Sequence, residues 1–563
     1  MRRSFRAGLL LLLAAVSPLV ALGAPERIGD FALLDNHGVF HQLSRYLHKN
    51  AVVVMAFDQR CAKMDDLVQG FRAVQERWQD RDLQFLLLDA NGTPRPQMTA
   101  LHPGLPILED DGQMVSEALG ITQAGEVLVL EPLRLSRFYQ GPVQTELDTV
   151  LTGVLDASLN STVRVAMTGC EIPYPVRDQH RARVPDYATE VAPIISARCA
   201  ECHREGGVGP FAIDSHIMLR GWSPMIREVL MNKRMPPTQV DPYIGHTENA
   251  RSISVAEMQT LVHWINAGGP ASPDVADPLE NLQFPDESVW LLGEPDYVVE
   301  APGVEIAATG IMDYVYSKVS LPFTEDKWLR AVQYIAGDKT VLHHLVTYVT
   351  EPGEDYWGTE REESFSTRRF VEAYAPGKPV AVEFSEGTGV RIPAGSELSM
   401  QLHYVTNGRR TVDKTRLGLY FLEQPPQHEQ LVAAVGARFI IPPQVADFPL
   451  HVEHAFDQDV VITGLRVRMH YRGKRMKFAV DEPDGSLREI LSVPAYNYGW
   501  QPHYRLSEPV LVPAGAKVHV IGAFDNSESN PLNPDPDKEV GFGVDSWDEM
   551  FTGYFTYHSA NGL

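Results

Sequence analysis

The chain has 563 residues, 44% of them hydrophobic and 22% charged, which is too long for one compact core and sets an expectation of roughly two to four domains. Its formal net charge is −24, from 73 acidic against 49 basic residues. That balance excludes a nucleic-acid partner, which needs a basic footprint, and would be repelled by an anionic membrane surface.

Arg2, Arg3 and Arg6 precede an apolar run from Leu9 to Leu22 that only Ser17 and Pro18 interrupt. Ala21 and Gly23 are small residues of the kind found at a cleavage site. These flanks predict a signal peptide over 1–23, with the mature chain starting near Ala24. The run is too short to be a membrane span, and no later stretch is apolar enough to be one. The expectation is a periplasmic or secreted protein with no membrane span after signal cleavage. Four cysteines, Cys61, Cys170, Cys199 and Cys202, are too few for a disulfide framework in a chain of this length.

The segment 24–160 alternates strand and helix patterns. Ala51 to Phe57 and Leu83 to Asp89 are continuous apolar runs suited to buried parallel strands, and Glu126 to Leu130 is a third. A helical pattern fills Met64 to Trp78. With Ile28 to Leu33 at its start, the segment resembles the thioredoxin-like redoxin fold, which places a reactive thiol where Cys61 stands. The redox chemistry is eroded, because residues 61 to 64 read Cys-Ala-Lys-Met and lack a resolving thiol. Ala124 and Gly125 replace the cis-proline that the resemblance calls for. Cys170 lies beyond the domain, in an expected linker over 161–182. A Cys61–Cys170 disulfide and two unpaired thiols both remain open.

Next comes Cys199-Ala200-Glu201-Cys202-His203, the Cys-x-x-Cys-His attachment sequence of a c-type haem. Two thiols add to the haem vinyl groups, and the adjacent histidine reaches the iron. A helix pattern from Tyr187 to Ile195 leads in, and Gly206 to Phe211 is a turn-rich exit. Met235, in Arg-Met-Pro-Pro, is the candidate sixth ligand, with Met225 and Met231 as competitors on a helix. The reading is an all-α cytochrome c domain over 183–272, closed by a helix from Ile253 to Gly268 and carrying covalent haem c.

The remaining half is rich in short alternating strands and Pro/Gly turns, which predicts all-β sandwiches. Two tight turns of similar pattern, Pro393 to Ser396 and Pro513 to Ala516, each feed a strand, so the half is divided into sandwiches at 281–425 and 426–563. His343 and His344 are neighbours, and in a regular strand neighbours face opposite ways. They can meet one metal only if the backbone bends there or one lies at a strand end.

His343-His344, Gln401-Leu402-His403-Tyr404, Met469 to Lys474, Asp525 to Ser527 and Asp548 to Met550 occur in an order that resembles the copper type II, ascorbate-dependent monooxygenases. That resemblance implies two jelly-roll-type sandwiches facing a gap. It implies a first copper on His343, His344 and His403, and a second on His470 and Met550. It further implies hydroxylation of a C–H bond with dioxygen, on a small-molecule or peptide substrate that the sequence does not name. Electrons would come through the haem domain from an external donor, ascorbate-like or a redox protein. The alternative is a non-catalytic electron-transfer or copper-binding protein. Arg468 favours that alternative, because it stands where the family has another histidine. A guanidinium has no lone pair to give a metal and repels one. His451, His454 and His503 are candidates to replace the missing ring.

Overall fold

The computed structural model describes residues 24–98, 101, 103–143, 145–237, 240–354, 365–543 and 545–562; the expected signal peptide lies outside them. Among the described residues no helix is long and apolar enough to cross a membrane.

The first domain is built on a sheet whose central order is Ser136–Gly141, Val127–Glu131, Ala51–Phe57, Leu83–Asp89. Ala51–Phe57 runs parallel to Leu83–Asp89 and antiparallel to Val127–Glu131. The helix Met64–Arg77 crosses between the parallel pair. This is the thioredoxin-like arrangement. Ala51–Phe57 is buried along its whole length, as a strand covered on both faces must be. Cys61 is bonded to Cys170, with Cα atoms 5.8 Å apart, which settles the pairing that the sequence leaves open.

The stretch expected as a linker is structured. Val163–Arg164 adds a parallel strand beside Ser136–Gly141, Gln123 bridges Glu171, and Pro175–Ala182 is a helix.

The helical segment follows, with Ala192–Arg198, His216–Met231 and Val255–Asn266. A capping box from Ser254 and Glu257 starts the last of these helices. Residues such as Val191, Leu230 and Trp264 belong to the same buried cluster as Val54 and Leu128, so this segment and the first domain share one core. Arg95 of the first domain forms a buried ion pair with Glu109 and reaches Asp241 at 2.6 Å. Beyond Asp241 the chain is stitched to the second sandwich, by Asp241 N–H to Ser492 O and Glu248 N–H to Arg505 O.

The last half forms antiparallel sandwiches. One eight-stranded sheet runs Val315–Ser320, Glu397–Tyr404, Leu342–Thr350, Phe365–Tyr374, Leu431–Ala437, Phe551–Ser559, Val460–Arg468, Tyr504–Val512. Its first four strands are backed by a six-stranded sheet centred on Lys327–Ile335. Its last four are backed by a four-stranded sheet of Phe448–Ala455, Lys517–Phe524, Gly473–Asp481 and Leu487–Val493. Each sandwich has its own core, one around Leu345 and Leu402, the other around Phe478 and Phe555. The two predicted turns place Gly395 and Gly515 at positive φ just before Glu397–Tyr404 and Lys517–Phe524.

Candidate functional site

His344 pairs directly with His403 across the neighbouring strands Leu342–Thr350 and Glu397–Tyr404. The register between these strands shifts between Leu342 and His344, so His343 sits on a bulge at the strand start. The bulge removes the alternation that would send the two neighbouring rings to opposite faces. His343 Nδ1 and His344 Nδ1 are 3.0 Å apart, and each of these rings lies 5.1 Å from the His403 ring, centre to centre. One nitrogen from each histidine falls within 4.8 Å of the others, a spacing that can hold a metal ion. Tyr314 stacks on His403 at 4.5 Å and fixes that ring.

All three imidazoles are held neutral, which is the ligand form. Burial pushes His403 down to about 4, with His343 and Arg468 adding to the effect. Burial and then Arg468 lower His343 and hold His344 well below the usual histidine range. His403 Nδ1 is buried with no hydrogen-bond partner. Such an orphan costs ~1–3 kcal/mol. Three converging neutral imidazoles, one of them orphaned, fit a copper or zinc ion.

His343 and His344 of the triad line a cavity of about 360 Å³ between the two sandwiches. Tyr374, Tyr498, Trp500 and Tyr554 give it an aromatic wall, and Lys378, Arg466 and Arg468 line it with positive charge. Among the described residues no carboxylate lines it. Lys378 is pushed down to about 8 by burial; Glu372 opposes the shift, and Arg466 and Arg468 add to it.

The second sandwich brings Arg468 and Met550 to the same cavity. Arg468 pairs with Thr552 at the last rung of its ladder, and His470 and Met550 each lie two residues beyond that rung. Arg468 donates to Gln501 at 2.7 Å, and its charge bears on His470, lowered to about 3 chiefly by burial. His470 is fully buried. Its Nδ1–H donates to the Asp548 carbonyl at 3.1 Å, and its Nε2 is orphaned. Glu549 accepts the backbone N–H groups of His470, Arg472 and Met550, which ties the two chain segments together.

None of the candidate replacement rings lines the cavity. His503 bonds Thr556, His451 bonds His519, and His454 lies edge-on to Phe456.

In the helical segment, His203 Nδ1–H donates to Phe211 O at 3.1 Å, which leaves Nε2 free for a metal. Gly209 packs so closely that a Cβ there would fall 2.7 Å from His203 Nδ1. Cys199 and Cys202 are free thiols, and an Arg251 N–H approaches Cys202 Sγ at 3.4 Å. A free vicinal thiol pair beside a histidine with a directed open nitrogen fits the donor set of haem c. Met231 is buried in the core, whereas Met225 and Met235 are part-exposed, at 44% and 38%.

Sequence reasoning did not place the loop after the Cys-x-x-Cys-His motif. Val208 lines the metal cavity together with His343 and His344. Lys339 donates to Gly206 O at 2.8 Å, pinning that loop to the first sandwich. The turn-forming glycines were legible, but not where the loop docks.

The chain matches no known family profile and no curated protein. Solved structures resemble about a quarter of it. A hypothetical protein from Sinorhizobium meliloti is 20% identical over 27% of this chain and 93% of its own, with a TM-score of 0.24. A putative thiol:disulfide interchange protein DsbE from Chlorobium tepidum is 12% identical over 24% and 99%, with a TM-score of 0.22. Peroxidoxin BcpB from Mycobacterium tuberculosis is 16% identical over 24% and 96%, with a TM-score of 0.20. The fold of the first domain rests on its own strand order.

Proposed function

We propose that this chain is an exported oxidoreductase that holds a haem c on Cys199, Cys202 and His203 and a copper ion on His343, His344 and His403, on a scaffold of the copper-monooxygenase kind. The haem and the copper would each supply one-electron transfer. The observation that carries the reading is the shared wall: Val208, five residues past His203, lines the same cavity as His343 and His344. The triad offers neutral nitrogens, and Tyr314 orients one ring. The Cys61–Cys170 disulfide supports an oxidising compartment. It also ties up the thiol that redoxin chemistry would need.

Arg468 on the cavity wall favours a single-copper protein over an oxygen-activating two-copper enzyme. Hydroxylation remains the second reading, favoured by the orphaned Nε2 of His470 and by Met550 on the same cavity. Haem and metal analysis of the exported full-length protein tests both. We expect pigment that stays with the polypeptide in acidified organic solvent, and one copper per haem with an all-nitrogen spectrum. Extractable pigment, or a protein that retains no copper, refutes the proposal. Two coppers per haem with oxygen uptake selects hydroxylation.

A further inference from the structure

The outer sheet of the second sandwich carries another set of donors, away from the cavity. His451 and Glu453 are two apart on Phe448–Ala455, so they project to one side. Glu453 pairs in register with His519 on the neighbouring strand Lys517–Phe524. His451 Nε2 lies 2.9 Å from His519 Nδ1, and Glu453 Oε2 lies 3.6 Å from the same nitrogen. One donor atom of each residue falls within 4.8 Å of the others.

The second ring nitrogen of His519 decides how this group is read. His519 is buried, and its Nε2 lies 3.0 Å from Asp481 Oδ1. A carboxylate accepts there, so Nε2 carries a proton, and in the neutral tautomer the lone pair is on Nδ1. That lone pair faces His451 and Glu453. Asp481 is itself fixed by the Lys517 N–H at 3.0 Å, while the Lys517 ammonium holds Glu453 Oε1 and leaves Oε2 turned to His519. Glu453 Oε2 at 3.6 Å is beyond hydrogen-bond distance of His519 Nδ1, so the His451 ring is the one donor to it and the carboxylate oxygen stands beside it. Two imidazole nitrogens and a carboxylate oxygen converge, with a second carboxylate fixing the buried imidazole from behind, which is how metal-bound histidines are oriented.

We propose that His451, Glu453 and His519 form a zinc site on the outer face of the second sandwich, with Asp481 as a positioning residue. Two imidazoles and a carboxylate without thiolate suit divalent zinc. Nitrogens bound tetrahedrally at about 2.0–2.1 Å stand roughly 3.3 Å apart, so the two rings part by a few tenths of an ångström on loading. His451 and Glu453 are exposed, which leaves the fourth position to water. On binding, His451 gives up its Nε2 proton or moves it to Nδ1.

The test is zinc binding by the full-length chain, with the cavity triad disabled by His344→Ala and His403→Ala. We expect one zinc per chain in that background, lost on adding His451→Gln and weakened about 10- to 100-fold by Asp481→Asn. Cobalt should give a tetrahedral visible band that disappears in His519→Gln. Because His451 is exposed, His451→Gln in the otherwise intact chain is a second check, and it should bind one zinc fewer than the parent. No zinc in the background variant, or the same stoichiometry with and without His451, overturns the proposal and leaves the reading of the cavity untouched.

Discussion

The two sandwiches face one cavity but equip it unequally. In the first, a register shift at Leu342/His344 turns sequence neighbours into co-facing rings, and a third ring arrives on the paired strand. In the second, the ladder is regular from Gly464 to Arg468, and a guanidinium reaches the cavity while the imidazole of His470 stays buried behind it. A single backbone irregularity gathers three imidazoles on one side; on the other a guanidinium takes the cavity wall in place of a ring. Metal competence here depends on backbone register as much as on how many histidines a strand holds.

The sharpest way to break the comparison is to disable the first side. His403→Ala removes the ring paired with His344, and copper affinity should fall by 100-fold or more, read by metal content after dialysis. A variant that keeps its copper with an unchanged all-nitrogen spectrum would show that the triad is not the site. The converse sharpens it: Arg468→His replaces a repelling charge with a ring. Copper should rise from one to two per chain, with a sulfur-ligated signal if Met550 joins. A parent protein that already binds two coppers, with no gain in the variant, would remove the asymmetry.

The smallest expected effect concerns charge. Lys378 adds a third cation beside Arg466 and Arg468 and is held near 8. Below that pH it is protonated and the cavity is at its most positive; above it one charge is lost. Binding of a small aromatic carboxylate should weaken about threefold to tenfold as pH rises through 8, in keeping with ~1 kcal/mol for one partly screened charge. Lys378→Met should flatten the profile, and an equal pH step in that variant would assign it to another group.

Much of this was legible in the residues. Ala51–Phe57 and Leu83–Asp89 are continuous apolar runs, and such runs leave few alternatives to a buried strand. The ligand set of the triad was named from its motifs, but its feasibility was conditional, because alternation forbids adjacent co-facing rings and a bulge leaves no mark in composition. The Cys61–Cys170 bond stayed open because nothing in a separation of 109 residues favours pairing over two free thiols. The docking of Val208 and the backbone pairing of Phe365–Tyr374 with Leu431–Ala437 join residues remote in sequence. Local pattern carries no trace of such contacts.

That last pairing has a mechanical consequence. Phe365 to Arg368 hydrogen-bond along Val432 to Val435, so one sheet passes from the first sandwich into the second without a break. The two halves are yoked by a ladder rather than tethered by a hinge. A clamshell opening of the two halves would have to break that ladder. A cut at this seam would bare two strand edges and invite aggregation instead of releasing two domains.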